Sequence, residues 1–97
     1  MATWTRLPQE QDDQDYWFAG SCFLTHGVSS TLSSEEILFI RTDLHEFVKE
    51  KQGIDYLQVY ERDDGLRVWV IDQIPKSKLN DHPSSHNHFT LLFPEEY

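Results

Sequence analysis

Residues 33–53 specify a helix with both of its ends. Ser33 followed by Glu36 forms a capping box, in which each side chain can satisfy a free N–H of the first turn. Leu32 and Ile37 flank the cap at the spacing of a hydrophobic staple. Glu35 and Glu36 suit the positive end of the helix dipole, and Lys49 and Lys51 suit the negative end. Ile37, Ile40, Leu44, Phe47 and Val48 recur every three or four residues and form one apolar stripe. Gly53 is a natural stop. The spacing predicts a helix from about Ser34 to Gln52 that must bury one face.

What it buries against is read from the flanking segments. Trp17–Thr25, Ile54–Glu61, Leu66–Asp72 and His88–Phe93 are short, rich in β-branched and aromatic residues, and bounded by turn formers. Asp63-Asp64-Gly65 joins the middle pair. A three-residue loop with Gly65 left-handed places Glu61 opposite Arg67, whereas a two-residue turn would set Arg62 against Arg67. The first register puts Leu57, Val59, Trp69 and Ile71 on one face, which is the expected core face. Tyr60 and Val68 share the other, which is expected to be partly covered too. On the last strand Phe89, Leu91 and Phe93 lie together. The fold class is therefore α+β, one long amphipathic helix on a small antiparallel sheet, in the order β-α-β-β-β.

With 97 residues there is room for one domain. Residues 17–97 are expected to form it, after a partly irregular acidic segment at 1–16, with Trp4 and Leu7 docking back. Thirteen aromatic residues argue for a packed core. Seventeen acidic against eight basic residues give a net charge of −9. The basic residues are scattered, which disfavours direct binding to nucleic acid. A protein with a basic surface is the fitting partner. Cys22 stands alone, which rules out an intramolecular disulfide and fits a reducing cytoplasm. No signal peptide or membrane helix is expected.

Three segments resemble a known pattern: Leu24-Thr25-His26-Gly27-Val28, Asp55-Tyr56-Leu57-Gln58-Val59-Tyr60, and Thr90-Leu91-Leu92-Phe93-Pro94-Glu95-Glu96-Tyr97. In this order they are similar to the small bacterial proteins of the domain-of-unknown-function families 960 and 3768. Those families carry a threonine-x-glycine-valine segment, an Asp-Tyr-Leu-Gln strand and an ending near Leu-Ala-Glu-Glu-Tyr. This chain has Phe93-Pro94 in place of Leu-Ala. The resemblance implies no activity and no catalytic residues. It implies an accessory role on plasmids, phages or other mobile elements.

Four candidate chemistries remain. His82, His86 and His88 could hold zinc, although their spacing matches no closed metal motif. Ser21 or Cys22 with His26 and an aspartate could be written as a nucleophile triad, but no nucleophile elbow, Cys-His enzyme signature or phosphate loop accompanies them, so no enzyme activity and no cofactor are expected. The acidic residues, chiefly Asp12, Asp13, Asp15, Asp43, Glu46 and Glu50, could mimic the phosphates of nucleic acid toward a host protein. Exposed aromatic rings, with Tyr60 and Tyr97 foremost, could anchor a partner, and an edge strand could pair with a second copy. The favoured expectation is a non-enzymatic protein-binding module, with Asp12, Asp13, Asp15, Asp43, Glu46, Glu50, Tyr60 and Tyr97 on its contact surface. A homodimer, or a metal- or ligand-binding protein using the histidines, is the alternative.

Overall fold

A computed structural model of the chain describes residues 3–12, 14–81 and 87–97. The capping box forms as read. Ser33 Oγ accepts from the Glu36 amide, and the Glu36 carboxylate accepts from the Ser33 amide, both at 3.1 Å. The helix it starts, Ser34–Lys51 (α2), turns Ile40, Leu44 and Val48 into the core, with Ile37 and Phe47 half-buried beside them. It ends where Gln52 (φ 57°) and Gly53 (φ 115°) both take left-handed backbone.

The helix lies on a five-stranded sheet. In chain order the strands are Trp4–Arg6 (β1), Ser21–Leu24 (β2), Leu57–Arg62 (β3), Arg67–Asp72 (β4) and His88–Leu92 (β5). Across the sheet the order is β1-β3-β4-β5-β2. All neighbours are antiparallel except β2 and β5, which are parallel. A short helix, His26–Thr31 (α1), precedes α2, and 3₁₀ turns occupy Lys76–Asp81 and Pro94–Glu96. The α+β class and the long helix on a mostly antiparallel sheet are as expected. The element order is longer by one strand and one short helix.

The β3–β4 hairpin takes the expected register. Glu61 faces Arg67, and their side chains meet at 2.8 Å across a loop whose Gly65 has φ 92°. The expected core face is the wrong one. The helix covers Gln58, Tyr60, Val68, Val70, Phe89 and Leu91, all 1% exposed or less. Leu57, Val59, Trp69 and Ile71 face away from it. Both faces carry apolar residues, and the polar Gln58 made the true inner face look like the outer one. Gln58 is tolerated inside because its amide donates to Gln9 Oε1 and to the Asp55 carbonyl, each at 3.1 Å.

The N-terminal segment belongs to the domain's structure. Trp4–Arg6 is an edge strand of the sheet, paired with Tyr60–Arg62. Beyond it, Gln9 Oε1 accepts from the Asp55 amide, and Tyr16 and Ile54 exchange two backbone hydrogen bonds. Phe18 is fully buried with φ 52°, a conformation costing a side chain about 1–2 kcal/mol. Side chains hold it from both ends: its amide donates to Asp72 Oδ2 at 2.9 Å, and its carbonyl lies 3.0 Å from His45 Nε2. Consequently Trp17–Thr25 is not one strand. Only Ser21–Leu24 is, after the turn that this strained residue makes.

Candidate binding surface

The sheet face turned away from α2 is the most distinctive surface. Leu57, Val59 and Trp69 lie on it half-buried, and the 3₁₀ turn Pro94–Glu96 packs beside β4. Ile71 and Leu92, nearly covered, form its floor. Aromatic rings stand along its sides. Tyr97 is 82% exposed and meets Trp69 edge-on at 5.7 Å, while Tyr56 is 41% exposed and lies 6.0 Å from Tyr16. Between these rings, above Ile71, Thr90 and Leu92, is a hollow of about 380 Å³. Arg67 on this face is neutralised by Glu61.

The expected contact residues do not form one patch. Tyr60 is fully buried, so its ring is no surface anchor. Its hydroxyl donates to Asp43 Oδ2 at 2.7 Å, and burial followed by that carboxylate raises the phenol above the ordinary tyrosine value. Asp43 also takes Arg6 Nη1 at 2.6 Å, and Arg6 stacks 3.8 Å over Phe47. Asp43 therefore ties β1 to α2 instead of facing a partner. Asp15 is likewise committed: it accepts from the Trp17 indole, the Ser77 amide and, through its carbonyl, the Lys76 amide. Asp12 lines a polar hollow with Lys51. Glu46 and Glu50 are exposed on α2. Tyr97 alone reaches the face away from α2. Asp13 lies outside the described residues.

The other candidates separate similarly. His82 and His86 lie outside the described residues. His88 stacks on Phe23 at 4.4 Å. Among the described residues no three His, Cys, Asp or Glu side chains converge on a metal position. Cys22 is half-buried and burial pushes its thiol up, against a weaker pull from Arg41, which disfavours the reactive thiolate. A second cleft of about 410 Å³ lies by Trp4, Phe39, Glu36 and Arg62. Within it Glu36 Oε2 accepts from both the Trp4 indole and Arg62. No helix among the described residues is long and apolar enough to cross a membrane.

The segments that carry the family resemblance meet in space. Glu96 Oε1 accepts from the Thr25 hydroxyl at 2.7 Å and from the Phe93 amide at 2.9 Å. The amide first and the hydroxyl second hold that carboxyl below its ordinary range. Gly27 is open for the approach: a Cβ there would come within 2.7 Å of Glu96 Oε2. Tyr56 and Tyr97 then border the same hollow. Comparison with protein-family models, with curated proteins and with solved structures finds no match to this chain.

Proposed function

We propose that this chain is a non-enzymatic protein-binding module that docks a protein of basic surface on its sheet face away from α2. One observation carries the reading: half-buried Leu57, Val59 and Trp69 and the exposed rings of Tyr56 and Tyr97 make an apolar, aromatic surface on the side of the sheet away from α2. Aromatic residues with restricted side chains are favoured anchors of interfaces. The charge balance supports a basic partner. Arg6, Arg62 and Arg67 are held in ion pairs within the chain, so the surplus of acidic groups dominates the remaining surface. With Asp15 and Asp43 committed internally, acidity serves as long-range attraction, and a ladder of mimicked phosphates is the less supported mechanism. An inhibitory or regulatory role on a host protein, borne by a mobile element, is the setting the family resemblance suggests.

A second reading has its own observation. The outer edge strand β2 carries no charge or proline, and Phe23 and Leu24 are 49% and 38% exposed. Such an edge is open to pairing with a second copy.

The test compares a photo-crosslinking residue at Val59 with one at Glu50, on the opposite side of the domain, in producing cells. The expected result is an adduct at position 59 with a protein of basic surface, weakened by high salt and abolished by Leu57→Glu without a change in the circular dichroism spectrum. Adducts that form equally at position 50, or that ignore Leu57→Glu, would overturn the proposal. Adducts only between copies would transfer it to the homodimer.

A further inference from the structure

We propose that the hollow bordered by Tyr16, Tyr56 and Tyr97 receives an alkylammonium group, such as a lysine side chain of the docked partner. This rests on the binding face described above and names what that face recognises.

The hollow has the parts such a receptor needs. Aromatic faces carry negative potential and attract cations placed within about 6 Å of the ring centre, most strongly where water is displaced. Tyr16 and Tyr56 stand 6.0 Å apart with their planes tilted by 58°. Parallel rings would clamp a flat guanidinium. Tilted rings leave a concave corner that suits a compact, roughly spherical ammonium. Tyr97 also borders the hollow, and Ile71 and Leu92 supply an apolar floor for the methylene stem. At about 380 Å³ the space lies at the small end of ligand pockets, enough for a headgroup and its stem.

Charge favours the same occupant. No lysine or arginine is among the lining residues, and the chain carries a net charge of −9. An acidic surround without a competing cation attracts a positive group.

The walls are also set in advance. Tyr16 is fixed by its two backbone hydrogen bonds to Ile54, at 3.1 and 3.0 Å. The Tyr56 carbonyl accepts from the Asp72 amide at 3.0 Å, and the Tyr97 amide donates to the Pro94 carbonyl at 3.2 Å. A receptor built on held backbone loses less ordering entropy when it is filled.

The experiment is a titration of the isotopically labelled chain, followed at the tyrosine ring resonances. The probes are tetramethylammonium, its neutral tert-butyl isostere, and a short peptide carrying trimethyllysine. Tetramethylammonium is expected to shift Tyr56 and Tyr97 saturably, and to bind about fivefold or more tightly than the isostere, the equivalent of about 1 kcal/mol. Tyr56→Leu should lose that preference, while Tyr56→Phe keeps affinity within about twofold because the ring face is retained. A peptide that binds more tightly than the free cation assigns the site to a protein side chain. Equal binding of peptide and free cation overturns that assignment. An isostere that binds as well as the cation, no saturable shift, or a Tyr56→Leu variant that binds normally would overturn the receptor itself. If the titration fails while crosslinking at position 59 persists, the docking face stands and only the ammonium hollow falls. If the cation binds but crosslinking fails, the reverse holds.

Discussion

Val59 and Val70 are matched for an experiment on which sheet face the helix covers. Both sit on interior strands, β3 and β4, but Val70 points under α2 with no exposure whereas Val59 points to the other side, half-buried. Each is replaced by alanine. The loss of strand propensity, up to about 1 kcal/mol, is common to both and cancels in the comparison. Val70→Ala removes two buried methyl groups and leaves a gap in the core beside its cross-strand partners Gln58 and Leu91, so about 2–3 kcal/mol is expected. Val59→Ala loses only part of that transfer term and leaves no closed cavity, so about 1 kcal/mol is expected. The difference of about 1.5 kcal/mol corresponds to about 6–12 °C in Tm for a domain of this size. Thermal and urea denaturation followed by circular dichroism measure it, with equal m-values confirming that the unfolded states compare. A Val59→Ala variant as destabilised as Val70→Ala would refute the facing assigned to the whole sheet.

Three other outcomes are expected. Ser33→Ala removes the α2 cap and should cost about 1 kcal/mol, lowering Tm by about 4–8 °C, whereas Ser34→Ala one residue later should be near neutral. Gly53→Ala should destabilise more than Gly65→Ala in the same denaturation assay. Both have positive φ, but a Cβ at Gly53 would meet the Gln14 carbonyl at 2.7 Å while nothing lies within 4 Å at Gly65. Asp72 gives a pH dependence. Burial raises its carboxyl above the usual 3.8, with the Phe18 amide pulling the other way, so the folded chain holds that proton more tightly than the unfolded chain. Its stabilising contribution is complete below 3.8 and is lost as pH rises through the raised folded value. The stability of the parent chain relative to Asp72→Asn should therefore fall as pH rises across that window. A relative stability that climbs with pH would contradict the assignment.

How much was legible in the sequence depended on how local each signal was. The α2 boundaries were readable because cap, staple and stop lie within a few residues of the turns they govern. The hairpin register was readable because one unfavourable Arg62–Arg67 pairing excluded the competitor. β1 was missed because three residues are too few to show alternation, and its partner lies some fifty-six residues away, at Tyr60–Arg62. α1 was missed because Gly27 reads as a breaker and Ser29, Ser30 and Thr31 are weak helix formers. Its support is tertiary: Thr25 caps it, Glu96 sits against its first turn and Val28 is buried. The sheet facing was misread because Gln58 looked like a solvent residue, although its amide nitrogen donates to Gln9 of the N-terminal segment. Tyr60 looked like an anchor for the same reason, since only the fold reveals the Asp43 carboxylate waiting for its hydroxyl. The candidate surface was only half visible: Tyr97 stood out, while Tyr16, Tyr56 and Trp69 come together only through β3, β4 and the ends of the chain.

The most direct measurement of the central claim is carbene footprinting of the folded chain, read residue by residue by mass spectrometry and repeated with the crosslinked partner. Tyr56, Val59, Trp69 and Tyr97 should label in the free chain and become protected in the complex, while Tyr60 and Val70 stay silent in both. Labelling at Tyr60 and Val70, or a Trp69 face already protected in the free monomer, would contradict it.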